Sequence, residues 1–254
     1  MFGLDPWLFW TVFSVTAFAG FVKGAIGFAM PLIMASAFAS LLPPQVALAA
    51  LILPVLTTNI HQALRQGPGA ALRSIGNFRW HIAMVLVFLM LSAGLARQIP
   101  QGLMYALLGL PILGFALWQL AGRPMTLPIR HRRRAEIATG IVGGLYGGVS
   151  GIWGPPLVVL LLSLGVDKRE QVRVQGVVFL LGAIGLTLAH LASGVLNAQT
   201  IPLSAVLCVP GFAGMMAGFA LQDRMDVAQF RRWTLILLVM TGLNLVRRAF
   251  SEGI

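Results

Sequence analysis

The sequence predicts an all-α polytopic membrane protein with two homologous halves arranged as an inverted repeat. Each half is expected to hold one broken, re-entrant segment and three spanning helices. The first observation is composition: of 254 residues, 58% are hydrophobic and 10% charged, whereas soluble proteins are about 45–50% apolar and about 25% charged. The others are eight long apolar segments and two matching clusters of glycine and proline. A disordered chain, a coiled coil and an ordinary soluble enzyme are excluded.

The chain is also strongly basic, with a formal net charge of +11. Its Lys and Arg residues form short clusters between apolar stretches, which is typical of the loops of membrane proteins rather than of a nucleic-acid-binding face. The single cysteine, Cys208, excludes an intramolecular disulfide and a multi-thiolate zinc site. Met1–Pro6 has no basic residue and Lys23 interrupts the following apolar run, so we expect no cleavable signal peptide.

A spanning helix needs about 20 apolar residues. Six apolar segments have ordinary spanning length: 45–64, 78–96, 101–121, 172–193, 201–221 and 232–250. Two others, 7–42 and 136–165, are too long for one crossing and contain the helix-breaking clusters 24–31 and 147–156. Each of these is either a kinked span or a re-entrant hairpin.

The positive-inside rule favours the hairpin. Without Lys23, the 17 remaining basic residues divide 10 to 7 between the two sides if every segment spans, and 14 to 3 if both long segments are re-entrant. The second division predicts a multi-pass protein of the inner (plasma) membrane. Both termini would be outside, and the basic linker 122–135 would be cytoplasmic.

The two clusters match at an offset of 124. The matching positions are Gly20, Gly24, Gly27 and Pro31, and Gly144, Gly148, Gly151 and Pro155. This match predicts a first membrane repeat at 1–121 and a second at 136–254. Inverted repeats are typical of secondary transporters, whose substrate sites lie near the midplane. The alternative is that the glycines serve only close helix packing.

Lys23 suggests what the first break binds. A lysine inside an apolar segment is costly and is a functional candidate, whereas all seven acidic residues lie at segment ends, in loops or at termini. The half-helices that follow the breaks begin near Pro31 and Pro155, and helix N-termini favour anions. The expected substrate is therefore a small anion.

The predicted site needs no metal and no cofactor, and no nucleic acid is expected. The predicted substrate-binding residues are Lys23, Gly24, Gly27, Phe28, Asn59, Ser150, Gly151, Trp153, Gly154, Arg173 and Gln175, and the predicted structural breaks are Pro31, Pro155 and Pro156. The polar side chains among them could equally satisfy broken backbone or neighbouring helices. The sequence leaves open the oligomeric state and any coupling ion; if it is a proton, the candidates are Lys23, His61 and His190.

Two other functions remain as alternatives. A passive anion channel would use the same site. The Gly148–Gly151 stretch has the G-x-S-G form of rhomboid intramembrane proteases, with Ser150 as nucleophile and His190 as base. Pro155 follows almost at once, His190 lies near the far end of its segment, and Ile26 occupies the position equivalent to Ser150 in the first half. These three features disfavour a protease.

The chain resembles the sulfite exporter TauE/SafE family of membrane transporters. The resemblance rests on Gly20–Phe28, on its echo at Gly144–Pro156 and on the two-half layout. It implies transport, usually export, of sulfur-containing anions such as sulfite or organosulfonates. The family often has a further glycine pair after the first break, where this chain has Phe28-Ala29-Met30-Pro31, so the pocket shape is expected to differ.

Overall fold

The structure, a computed structural model, describes residues 4–95, 101–122, 131–150 and 153–251. These residues form eleven α-helices and no strand. The helices are α1 (Pro6–Ile26), α2 (Met30–Leu41), α3 (Pro44–Leu64), α4 (Pro68–Asn77), α5 (Arg79–Leu95), α6 (Gln101–Leu120), α7 (Arg132–Ser150), α8 (Gly154–Ser163), α9 (Lys168–Ala192), α10 (Ile201–Arg224) and α11 (Val227–Ser251).

The predicted all-helical membrane class is confirmed. Five helices, α1, α3, α9, α10 and α11, are long and apolar enough to cross a membrane. The pair α4 and α5 passes the same test together, although it bends by 78°. Apolar side chains on the outer surface, such as Met90 at 74% exposure and Phe250 at 73%, suit contact with lipid.

Both overlong segments are divided between two helices. Segment 7–42 contains α1 and α2, and segment 136–165 contains α7 and α8. Helix α4 was not among the predicted segments, because residues 68–77 are short and include Arg73 and Asn77. The inverted repeat, its linker and the re-entrant path stay predictions.

The chain divides into two compact units, and each takes helices from both halves of the sequence. Unit 1 consists of Met1–Ser74 and Val172–Met225, and unit 2 of Ile75–Gln171 and Asp226–Ile254. Each unit therefore combines distant parts of the chain.

In unit 1, α1 packs along α10 through glycines. A Cβ on Gly20 would lie 2.2 Å from the carbonyl oxygen of Gly211, and one on Gly218 would lie 2.2 Å from that of Phe21. The contacts advance in the same direction along both helices, so the pair is parallel. Glycine lets two backbones touch in this way, which is a common means of helix association in membranes.

One apolar cluster joins several helices of unit 1. It joins Phe9 on α1, Phe38 on α2, Ile52 on α3 and Leu207 on α10. Since Pro54 has no N–H to offer, the carbonyl of Ala50 lacks its usual helical partner. The buried Ser204 hydroxyl lies near that carbonyl, donates to Ala49 at 2.7 Å and accepts from the N–H of Leu53.

In unit 2, α5 and α7 also run parallel. A Cβ on Gly140 would lie 2.7 Å from the carbonyl oxygen of His81, and one on Gly144 would lie 2.7 Å from that of Val85. The Ser92 hydroxyl donates to the Gly144 carbonyl at 3.2 Å. Helices α6 and α11 also pack through glycines, but their contacts run in opposite directions: Gly109 meets Leu245, and Gly242 meets Leu113.

We expect Gly20→Leu to lower the thermal stability of the purified protein in detergent. Its side chain would collide with the backbone of Gly211, and overpacking of this kind costs about 1–3 kcal/mol. The matched control is Gly114→Leu on α6, because nothing lies within 4 Å of a Cβ at Gly114. Equal melting temperatures for the two variants would contradict the proposed role of the glycine contact.

Candidate functional site

The first break, between α1 and α2, lies inside unit 1. Gly27 ends α1 with φ at 97°, and its N–H donates to the carbonyl oxygen of Lys23 at 2.6 Å. Ala29 has φ at 78°, the only positive φ among the described non-glycine residues, and L residues in this region carry about 1–2 kcal/mol of strain. Phe28 and Ala29 are 2% and 5% exposed. The sharp turn is therefore buried.

Lys23 lies in the last turn of α1 and is 1% exposed. Its Nζ donates to the Thr58 hydroxyl at 3.0 Å and to Oδ1 of Asn59, both on α3. No carboxylate among the described residues forms an ion pair with Lys23. Since an ammonium group has three hydrogens, one donor remains for another acceptor.

Gln62 joins the break to two other segments. Its Nε2 donates to the carbonyl oxygens of Gly27 and Val172, each at 2.8 Å. These two bonds fix the orientation of the amide and leave Oε1 without a hydrogen-bond partner among the described residues. The side chain of Gln62 is thus mainly a clamp that satisfies a carbonyl released by the break.

Gln175 on α9 is the unexplained polar group of this site. It is 0% exposed, and neither Oε1 nor Nε2 has a partner among the described residues. The amide lies directly against Gly27, since a Cβ there would be 2.0 Å from Oε1. An unsatisfied buried amide is costly, so this arrangement indicates a place for a polar ligand or water.

The α3 residues share one face because Thr58, Asn59 and Gln62 are spaced by three and four positions. Helix α9 can approach that face because Gly176 has no side chain: a Cβ there would lie 2.7 Å from the backbone N of Ala63. These elements bring the amine of Lys23 and the amides of Asn59, Gln62 and Gln175 around one helix break.

Three other residues that the sequence predicted for the site, all in unit 1, have no described contact with the Lys23 amine or the Gln175 amide. Gly24 faces α10, where a Cβ would lie 2.2 Å from the carbonyl oxygen of Met215. Arg173 donates from Nε to the Ser74 hydroxyl at 2.7 Å and from a terminal nitrogen to Gln66. Pro31 occupies the first turn of α2, as expected for a residue that lacks an N–H.

The second break belongs to unit 2. Pro155 and Pro156 lie in the first turn of α8 and are buried. Trp153 precedes that helix, and its buried Nε1 has no hydrogen-bond partner among the described residues; Gly154 is the first residue of α8. Ser150 ends α7, but its side chain and all of Gly151 lie outside the described residues.

Thr58 and Gln62 belong to the site although they are absent from the predicted set. Their spacing from Asn59 was the available signal, because it places all three on one face of α3. Among the described residues, no group of three or more His, Cys, Asp or Glu side chains could hold a metal ion.

The family comparison covers nearly the whole chain. The model of the family described as Sulfite exporter TauE/SafE matches residues 12–245. No curated protein and no solved structure matches the chain. The match includes both breaks and most of the described helices. The chain therefore belongs to the sulfite exporter TauE/SafE family, whose members are membrane transporters and not enzymes.

Proposed function

We propose that this protein is a secondary transporter that exports a small sulfur-containing oxyanion, such as sulfite or an organosulfonate, by alternating access. The observation that carries the proposal is a pair of buried groups at one helix break: the amine of Lys23 and the unpartnered amide of Gln175, which lies against Gly27. Membership in the family supports the class of substrate. The site supports an anion because it holds an ammonium group and no paired carboxylate among the described residues.

The donors at the first break suit an oxyanion. Lys23 retains one hydrogen after its two bonds to α3, and Gln175 Nε2 offers two more. The N-terminus of α2 begins at the same break and adds a partial positive charge. Charge-assisted hydrogen bonds are stronger than neutral ones, so Lys23 would supply most of the attraction and Gln175 would orient the anion.

The helix arrangement within each unit supports the proposed inverted repeat. The first helix of each half, α1 or α7, is followed by a break and a short helix. Each also packs in parallel through glycines against a helix of the opposite half, α10 or α5 respectively. Trp153 is the described polar group at the second break, and Ser150, Gly151 and Gly154 remain predicted contributors there.

The proposed orientation, with both termini outside, is supported by the charges of unit 1. Helices α3 and α10 run parallel and end near Arg65 and Arg224. Helix α9 runs the other way, and Arg173 near its beginning contacts Gln66 just after α3. Basic residues thus gather at one end of this unit, as the positive-inside rule expects of the cytoplasmic end.

We expect Lys23→Ala to lower sulfite transport in proteoliposomes by about tenfold or more, because a hydrogen bond to a charged group contributes about 1.5–3 kcal/mol. Lys23→Arg should retain part of the activity. The matched control is Lys168→Ala, which removes the chain's other lysine.

Thermal shifts with sulfite, sulfate, thiosulfate, sulfoacetate and carboxylates would report binding by each folded variant. Undiminished transport by Lys23→Ala would refute the proposal, and flux linear in concentration would indicate a passive channel.

Gln175→Leu separates a ligand-binding role from a structural one. Leucine removes two unsatisfied polar atoms, so we expect the melting temperature without substrate to be equal or higher. The corresponding gain in the free energy of unfolding would be at most about 1–3 kcal/mol. Sulfite affinity should fall severalfold at the same time. The control is Gln171→Leu, another buried glutamine one turn earlier on α9. Loss of stability with unchanged affinity would show that Gln175 is structural.

Single-cysteine labelling tests the orientation, since Cys208→Ser removes the only thiol. In that background, Gln199→Cys and Ser251→Cys should react with a membrane-impermeant maleimide in intact spheroplasts. Gly69→Cys on α4 should react only after the membrane is opened. The reverse pattern would place the termini in the cytoplasm.

A further inference from the structure

A charged cavity, wide open on one side, lies in unit 2 at the beginnings of α5 and α7. It has a volume of about 510 Å³ and is lined by Gly76, Asn77, Arg79, Trp80, Arg132, Arg133 and Glu136. This volume falls in the range of small-molecule sites, about 300–1,000 Å³. The cavity is not part of the Lys23 site, which lies in unit 1.

Two guanidinium groups of this cavity converge on one aromatic ring. The guanidinium carbon of Arg133 lies 4.2 Å from the centre of the Trp80 ring, and that of Arg79 lies 5.7 Å from it. Neither arginine forms an ion pair with a carboxylate in the described part of the chain. Two like charges therefore lie within 6 Å of the centre of one ring, and an anion bound in the cavity would offset their positive potential.

Arg132 has a different role in the same cavity. Its Nε donates to Oε1 of Glu136 at 2.8 Å, and a terminal nitrogen donates to the Asn77 carbonyl oxygen at 3.0 Å. Glu136, 2% exposed, therefore neutralises Arg132 and fixes its position. The lining keeps a formal charge of +2, from Arg79 and Arg133.

Two helix N-termini add to this positive potential. Helix α5 begins at Arg79 and α7 at Arg132, and the two helices run side by side in the same direction. Each N-terminus carries a partial positive charge and N–H groups that lack helical partners. Arginines that served only to orient the protein in the membrane would need their charge alone. The cavity and the two adjacent helix N-termini are not explained by that role.

We propose that this cavity binds the phosphate group of a phosphoester. Guanidinium groups match phosphate oxygens in geometry and bind them through paired hydrogen bonds. The cavity is larger than a bare oxyanion requires, and Trp80 offers an apolar wall for the rest of the ligand. Basic pockets beside membrane helices bind lipid headgroups in this manner, and a soluble phosphate compound would use the same contacts.

The test uses the full-length protein in nanodiscs and in detergent. Nanodiscs of phosphatidylcholine alone are compared with nanodiscs that also contain phosphatidic acid or phosphatidylglycerol, and bound lipid is counted by native mass spectrometry. In detergent, inorganic phosphate and glycerol phosphate are tested by thermal shift.

The variant that tests the cavity is Arg79→Gln/Arg133→Gln. Its charge-matched control is Arg73→Gln/Arg224→Gln, two arginines outside the cavity.

We expect the parent and the control to retain the phosphate ligand, and the cavity variant to bind it about tenfold more weakly or worse. Arg79→Lys/Arg133→Lys keeps the charges and should bind at an intermediate level, which also shows that the cavity still folds. Arginine-dependent retention of anionic lipid would identify a headgroup as the ligand. An arginine-dependent shift with the soluble compounds would identify a free phosphate. Equal binding by the cavity variant and the control, or no binding at all, would overturn the proposal.

Discussion

The carbonyl oxygen of Gly27 sets the constraint on which the rest of unit 1 depends. When α1 stops inside apolar surroundings, the backbone groups of the turn have no water to bond with and must be satisfied by the protein. The amide of Gln62 meets this need and ties α1, α3 and the beginning of α9 together through one nitrogen. The hydroxyl of Ser204 has a comparable role beside Pro54, where α3 loses a hydrogen-bond donor. Several polar side chains in this unit thus form hydrogen bonds with backbone groups that lack a helical partner. Only the remaining polar groups are free to bind a ligand.

Two chemically identical side chains differ in whether they satisfy the backbone or remain free to bind a ligand. Gln62 and Gln175 are both buried amides near Gly27, but the nitrogen of Gln62 is occupied by two carbonyls whereas both ends of the Gln175 amide are unpartnered in the described structure. The same distinction applies to Arg173, whose contacts with Ser74 and Gln66 hold α9 to the segment after α3. A candidate ligand group is therefore best identified by the hydrogen bonds it lacks rather than by its residue type.

The sequence predicted the features that depend on local chemistry. Lys23 could be identified because a charge within an apolar run is rare, and the breaks because glycine and proline interrupt helices. The spacing of Gln62 and Thr58 from Asn59 could place them on one face of α3, but their hydrogen-bond partners could not be predicted, since these are a carbonyl and an amine that lie 35 residues away in the sequence. Helix α4 is too short and polar to register as a membrane segment. The assignment of helices to the two units could not be predicted from the sequence either, because it depends on which glycine surfaces of distant helices pack together.

The glycine contact between α1 and α10 also has a mechanical consequence. Where side chains separate two helices, rotamer changes can absorb small displacements, but at Gly20 and Gly218 the backbones themselves touch. Close-packed backbone has no soft degree of freedom to yield, so the two helices form a stiff strut. Lys23 belongs to that rigid pair, so its backbone can shift only when α10 moves as well.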